Sequence, residues 1–310
     1  MSSVRTAAED YLAMRRALGF KLGLQGRLLL QFVGYLEDCG LETVTAQAAM
    51  AWATAPGGAT PVWHGMRFGV ARRFAVHLHL LDPRCEVPPA DALPERHRRL
   101  PPYIYSAEEI AALMSEARRL RPALRAATAE TVVGLLAVTG LRSGEVVRLN
   151  QSDVDLTAST LRVVATKGNK SRELALHEST AAALSSYMRL RDDAFPAARS
   201  PSFFVSSTGH RLGGSTLHAT FRLLVQAAGL EPPPGSRARR PRPHDVRHSF
   251  AVGALVAWYR AGEDVQARLP ALSAYLGHVE PKDTYWYLSA VPELLSLAND
   301  RAATRRGRRP

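Results

Sequence analysis

Cysteine is scarce in this chain: two in 310 residues, Cys39 and Cys85. That excludes a disulfide scaffold and a cysteine-rich zinc module, and it fits a reducing compartment, so a cytoplasmic location is expected. Long apolar runs are missing too. No stretch nears the ~18 consecutive apolar residues of a spanning helix, and the opening MSSVRTAAEDY has no signal-peptide core. Acidic side chains are in deficit, 28 against 40 Lys and Arg, a formal charge of +12. Such an excess points to a polyanionic partner, most often nucleic acid. Hydrophobic residues nonetheless make up 46%, enough to bury a core, so a wholly disordered chain is excluded. The length fits about two domains.

Residues 4–37 carry apolar positions at helical spacing, and Gly40 is a plausible helix stop. A helical run from Thr45 through Trp52, the loop APGGATP (55–61) and a helix bearing Met66, Phe68, Val70, Phe74 and Leu80 follow. Residues 1–85 therefore read as an all-helical bundle. Prolines crowd the stretch to Pro102, with the basic run Arg96–Arg99, so 86–105 reads as a stiff linker. A second domain is expected over 106–300, mainly α with a small antiparallel β-sheet. Ser106 and Glu109 form a capping box. Helices follow to about Leu120 and over Leu124–Thr139. Leu161–Ala165 and Arg172–Leu176 flank a Gly-Asn turn as a hairpin. Further helices are expected over Glu178–Arg191, Ser215–Ala228, Asp245–Ala261, Val265–Tyr275 and beyond Pro281, with a strand at Phe203–Val205. The last ten residues form a basic tail with five arginines.

Four segments of the second domain concentrate reactive side chains. They are Thr139-Gly-Leu-Arg142-Ser-Gly-Glu145, Thr166-Lys167-Gly-Asn-Lys170-Ser-Arg172, His244-Asp-Val-Arg247-His248, and Leu276-Gly-His278 with Tyr287 nine residues on. Taken singly each has an ordinary explanation: a surface arginine, a solvated turn lysine, a satisfied histidine, a core aromatic. His244 and His248, four apart, could pair on a metal, but no carboxylate- or cysteine-rich complement accompanies them, and no metal or cofactor is expected. Together, two arginines, a lysine, two histidines and a tyrosine suit phosphoryl transfer. Arginine grips phosphate oxygens bidentately and stays charged. Cationic donors aimed at developing charge are usually the largest catalytic contribution. A lysine can protonate a leaving 5′-oxygen, and an activated tyrosine hydroxyl can attack phosphorus.

At this point the second domain resembles, almost end to end, the tyrosine recombinases of the phage-integrase family. TGLRSGEVVRL (139–149) is similar to the family's first arginine box and TKGNKSRELAL (166–176) to its lysine hairpin. HDVRHSFA (244–251) and YLGHVEPKDTYWY (275–287) resemble its second box. The resemblance implies that Arg142 and Arg247 clamp the scissile phosphate and Lys167 is the general acid, with Lys170 its runner-up. It implies that His244 acts in proton transfer near the tyrosine, His278 bonds a non-bridging oxygen, Glu145 orients its neighbours, and Tyr287 is the nucleophile. The family's Thr-x-x-Tyr spacing from Thr284 selects Tyr287 over Tyr285. Lys170, Arg172, Arg239, Arg240 and Arg242 are candidate DNA contacts.

The implied function is site-specific strand exchange on double-stranded DNA through a 3′-phosphotyrosyl link, by an Xer-like or transposon-borne enzyme. It would work as a tetramer on paired sites, or with sister recombinases, and the bundle would bind the core DNA. A helix over about Val291–Asn299 would dock either on a neighbouring protomer or on its own domain. The rivals are a topoisomerase IB-like relaxing enzyme and an inactive accessory homologue. Against the family pattern, EPPPGSRARRPRP (231–243) and Tyr259–Leu272 are extended, though neither interrupts a motif.

Overall fold

In the computed structural model, residues 3–93, 101–164, 171–197, 199–233, 235–236, 238–278, 282–290 and 294 are described. The chain divides into two compact units, Met1–Leu100 and Pro101–Pro310.

The first unit is built from α1 (Val4–Ala17), α2 (Gly23–Asp38), α3 (Ala46–Thr54) and α4 (Pro61–His79). Side-chain oxygens of Ser3, Thr45 and Thr60 cap α1, α3 and α4, satisfying amides that the first turn leaves without partners. The helical pattern expected over 4–37 is two helices, because Gly19 at φ 86° ends α1. The Gly19 amide turns back to Arg16 and the Phe20 amide to Arg15, the paired bonds of a Schellman stop. Gly40 ends α2 in the same way. Leu29, Phe32, Val33, Leu36, Phe68 and Phe74 form the centre of the unit's core. Arg67 is buried with them, its guanidinium 3.8 Å over the Trp52 ring and donating to the Trp52 carbonyl at 2.6 Å.

The second unit opens on α5 (Ala107–Arg118), whose Ser106–Glu109 capping box is formed. Next come α6 (Ala123–Thr139), the single turn α7 (Ser143–Val146), and strands β1 (Val154–Asp155), β2 (Thr160–Val163) and β3 (Arg172–Ala175). The sheet is antiparallel in the order β1-β2-β3, with Leu161 opposite Leu174 and Val163 opposite Arg172. Helices α8 (Glu178–Ala194), α9 (Gly214–Ala227), α10 (Pro243–Arg260), α11 (Val265–Leu276) and α12 (Lys282–Ala290) complete it. The expected mainly helical domain with a small sheet is what the structure shows. Phe203–Val205 differs from expectation. Residues 202–205 are all buried, so there is no alternation of faces, and only the isolated bridges Asn150–Ser202 and Val205–Arg211 form.

Two apolar clusters organise this unit. The larger surrounds α6 and includes Leu113, Val132, Leu136, Leu161, Leu174, Phe203, Phe204, Phe221 and Val246. The smaller joins α10, α11 and α12 through Leu255, Leu269, Leu272, Leu276 and Tyr287, with Leu294 buried in it. That places Leu294 of the expected docking helix on its own domain; the rest of Val291–Asn299 lies outside the described residues. Helix α6 stops at Gly140, which has φ 61° and where an added Cβ would stand 2.5 Å from the Phe250 ring.

Gly140→Ala would combine a left-handed backbone penalty with a ring clash, an expected loss of about 3 kcal/mol in urea unfolding. Gly253→Ala, in open space on α10, should gain up to about 1 kcal/mol. Equal effects from the two substitutions would contradict this reading of Gly140.

Candidate active site

Arg142, His244, Arg247 and His278 sit where helices begin or end. Arg142 is the residue before α7, and His244 and Arg247 lie in the first turns of α10. His278 follows Gly277, the left-handed stop of α11 at φ 67°. The helix ends supply carbonyls with no helical partner, and these hold the arginines. Arg247 donates from Nη1 to the Gly140 carbonyl at 2.8 Å and from Nη2 to that of Leu276 at 2.6 Å. Arg142 Nη2 donates to the Gly277 carbonyl at 2.9 Å. Both guanidiniums therefore grip the turn at Leu276–Gly277, although they come from opposite halves of the domain.

Glu145 locks this arrangement. It is 3% exposed and accepts from the Arg142 amide at 3.0 Å, from Arg142 Nη1 at 2.7 Å and from Arg172 Nη2 at 2.8 Å. Burial works against its charge, but Arg172 and Arg142 prevail and hold its pKa down to about 2. Arg172, on β3, also presses on Gly277, where a Cβ would stand 2.7 Å from its Nη1. It was a candidate DNA contact, yet its side chain is largely buried and committed to Glu145. Arg239 was another; it bonds the buried carboxylate of Asp245. Arg240 pairs with Glu231 at 3.0 Å on the surface, and Arg242 lies 3.8 Å from Asp245 with half its side chain exposed. Lys167 and Lys170 lie outside the described residues. Strand β3, which follows them in the chain, is tied to the site through Arg172.

Five guanidiniums, Arg142, Arg172, Arg239, Arg242 and Arg247, thus face two buried carboxylates, Glu145 and Asp245. The surplus of positive charge shows in its neighbours. Burial, then Arg142, presses Arg247 down to about 10. Burial followed by Arg247, Arg142, Arg242 and Arg239 presses His244 down to about 4. A site in this state is short of an anion.

Tyr287 is 2% exposed and Tyr285 is 48% exposed. The Tyr287 hydroxyl lies 2.8 Å from Nδ1 of His248, a hydrogen bond. The His248 ring stands 4.6 Å from that of His244, centre to centre. His278 stacks beside Tyr287 at 6.5 Å, its Nδ1 2.7 Å from the buried Thr284 hydroxyl. His248 and Thr284 were not among the expected site residues. The signal for His248 was its place four residues after His244, on the same face of α10. Among the described residues no group of three or more His, Cys, Asp or Glu side chains is placed to hold a metal ion.

A tyrosine at the end of such a helical domain, beside carbonyl-held arginines and histidines, defines a tyrosine-type site-specific recombinase. The chain belongs to the phage integrase family, whose model matches residues 104–293. It is 42% identical over 311 residues to putative integrase/recombinase y4rB of Sinorhizobium fredii (strain NBRC 101917 / NGR234), covering 98% of both chains. It is 40% identical over 297 residues to putative integrase/recombinase y4rE of the same strain, covering 95% of this chain and 94% of that one. Among solved structures, the Tn1549 transposon integrase in complex with transposon right end DNA has the same fold. Its TM-score is 0.67 at 16% identity, covering 97% of this chain and 100% of that one. No helix among the described residues is long and apolar enough to cross a membrane.

The two histidines give a pH test. His248, like His244, is held low, to about 3, by burial first and then by His244, Arg239, Arg247 and Arg242. Both pKa values fall below the unfolded value near 6.5. Their stability contribution is complete above pH 6.5 and is lost as pH falls through 4 and then 3. Each adds a slope of roughly 1.4 kcal/mol per pH unit in that window. Urea midpoints should drop steadily from pH 7 to 4.5, and a His244→Asn/His248→Asn double variant should flatten the curve. An unchanged slope in that variant would refute the assignment.

Proposed function

We propose that this recombinase cuts DNA with Tyr287 and rejoins it on a partner strand, with Arg142 and Arg247 receiving the scissile phosphate. The observation that carries the reading is the shared grip of both arginines on the turn ahead of the helix bearing Tyr287. That grip fixes two guanidiniums in advance, so little reorganisation is needed when charge builds on the phosphate. The Tyr287 oxygen attacks phosphorus, and the bond to the 5′-oxygen breaks. His244 acts in the transfer of the phenolic proton, and the departing 5′-oxygen takes a proton from Lys167. His278 donates to a non-bridging oxygen, and Glu145 holds Arg142 in place. The product is a 3′-phosphotyrosyl link that keeps the energy of the broken bond. A 5′-hydroxyl from a second duplex then attacks that link and frees the tyrosine.

In this reading residues 1–85 bind the core DNA, 86–105 link, 106–300 catalyse, and the basic tail 301–310 contacts DNA or a neighbour. Exchange between two duplexes calls for four active sites, hence a tetramer on paired sites or a mixed assembly with sister recombinases. The near full-length match to two integrase/recombinases of one strain, and the fold shared with a transposon integrase, favour work on a mobile element in the cytoplasm.

Nicked suicide duplexes bearing the DNA that flanks this gene test the chemistry. Wild-type protein should leave a denaturant-resistant adduct, which Tyr287→Phe abolishes and Tyr285→Phe retains. Arg247→Ala and Arg142→Ala should slow adduct formation by at least ~100-fold. An adduct that survives Tyr287→Phe would overturn the nucleophile.

A further inference from the structure

We propose that His248 is a positioning residue for the nucleophile, accepting the hydrogen bond of the Tyr287 hydroxyl at Nδ1 and thereby fixing the direction of its attack. The proposal rests on the assignment of Tyr287 as the nucleophile and adds a side chain to that chemistry. The contact is direct, 2.8 Å, between α10 and α12. It is also enclosed. Tyr287 is buried in the cluster shared by α10, α11 and α12, and the His248 ring is packed edge-on between His244 at 4.6 Å and Tyr287 at 5.4 Å, with Trp286 at 5.8 Å.

Position in the helix makes this role specific. Arg247 and His248 are consecutive, so one turn of α10 aims the phosphate-binding guanidinium and the tyrosine-holding imidazole together. The Arg247 guanidinium is held by Gly140 and Leu276, and the His248 imidazole by the ring packing just described. The distance between phosphate and attacking oxygen is then set within a single helical turn. That is the alignment which separates a bound phosphodiester from a reactive one.

The same surroundings keep the His248 imidazole neutral, as the acceptor of the Tyr287 hydroxyl must be. Its imidazole is pressed down to about 3, by burial and then by His244, Arg239, Arg247 and Arg242. A neutral imidazole with its hydrogen on Nε2 leaves Nδ1 as a pure acceptor. No bond is made or broken at His248 in this role.

The test compares wild type, His248→Ala, His248→Asn and Tyr287→Phe on the nicked duplex carrying the gene's flanking DNA. Melting curves and gel shifts confirm folding and binding first. His248→Ala should bind DNA like wild type and form adduct ~10- to 100-fold more slowly at every pH from 6 to 9. His248→Asn places an amide oxygen close to the position of Nδ1 and should recover most of that loss, with the pH profile unchanged. Wild-type speed in His248→Ala would overturn the proposal. So would a His248→Asn as slow as the alanine variant with a flattened acid limb, since that marks a proton acceptor. An adduct surviving in Tyr287→Phe would sink the nucleophile assignment itself, a separable failure. Nitrogen-15 NMR of histidine-labelled protein without DNA probes the contact independently of activity. The Nδ1 resonance of His248 should report an unprotonated acceptor and shift in Tyr287→Phe, and the absence of any shift would refute the contact.

Discussion

The site depends on backbone carbonyls at the ends of two helices. Helix α6 ends at Gly140 and α11 ends at Leu276–Gly277, and the carbonyls exposed there bind the guanidiniums of Arg142 and Arg247. A buried arginine is costly unless its charge is met by hydrogen bonds. Neutral carbonyls meet it without cancelling it, and they add the partial negative charge of a helix C-terminus. Arg247 is thus almost fully buried and still cationic at neutral pH. Had carboxylates done the same work, the charge needed for a phosphate would already be spent. The carboxylate that does meet Arg142, that of Glu145, is shared with Arg172.

The positions of the elements were largely legible in the sequence because their punctuation is local. Ser106–Glu109, Gly140, Thr45 and Gly40 each mark an end within a few residues, and the structure puts the helix ends there. The break at Gly19 was missed because apolar spacing on either side continues as if the helix did. Phe203–Val205 looked like a strand because an apolar run carries no information on whether a partner ladder exists. The site motifs were legible for the same reason as the helix ends: each is a contiguous string.

What lay beyond reading were contacts between those strings. Arg142 meets Gly277 across 135 residues and Arg247 meets Gly140 across 107. Nothing local says that Arg172 will fold inward on Glu145, or that Arg239 will settle on Asp245. A basic side chain next to a hairpin or a helix start looks available to DNA until its partner is known. His248 was hidden in the opposite sense. Its spacing from His244 drew attention to metal binding, while its actual neighbour is a tyrosine from the far end of the domain.

Gly277 carries three demands at one atom group. Its backbone is left-handed, its carbonyl receives Arg142, and its α-carbon lies against the guanidinium of Arg172. A side chain at this position would displace the Arg172 guanidinium beside Glu145 and strain the backbone whose carbonyl Arg142 holds. The damage would travel from a residue with no chemistry of its own to one that touches the phosphate. In a survey of random substitutions, position 277 should therefore behave much as a reactive residue does, intolerant of most replacements with Asn the mildest, although it takes no part in any bond that is made or broken.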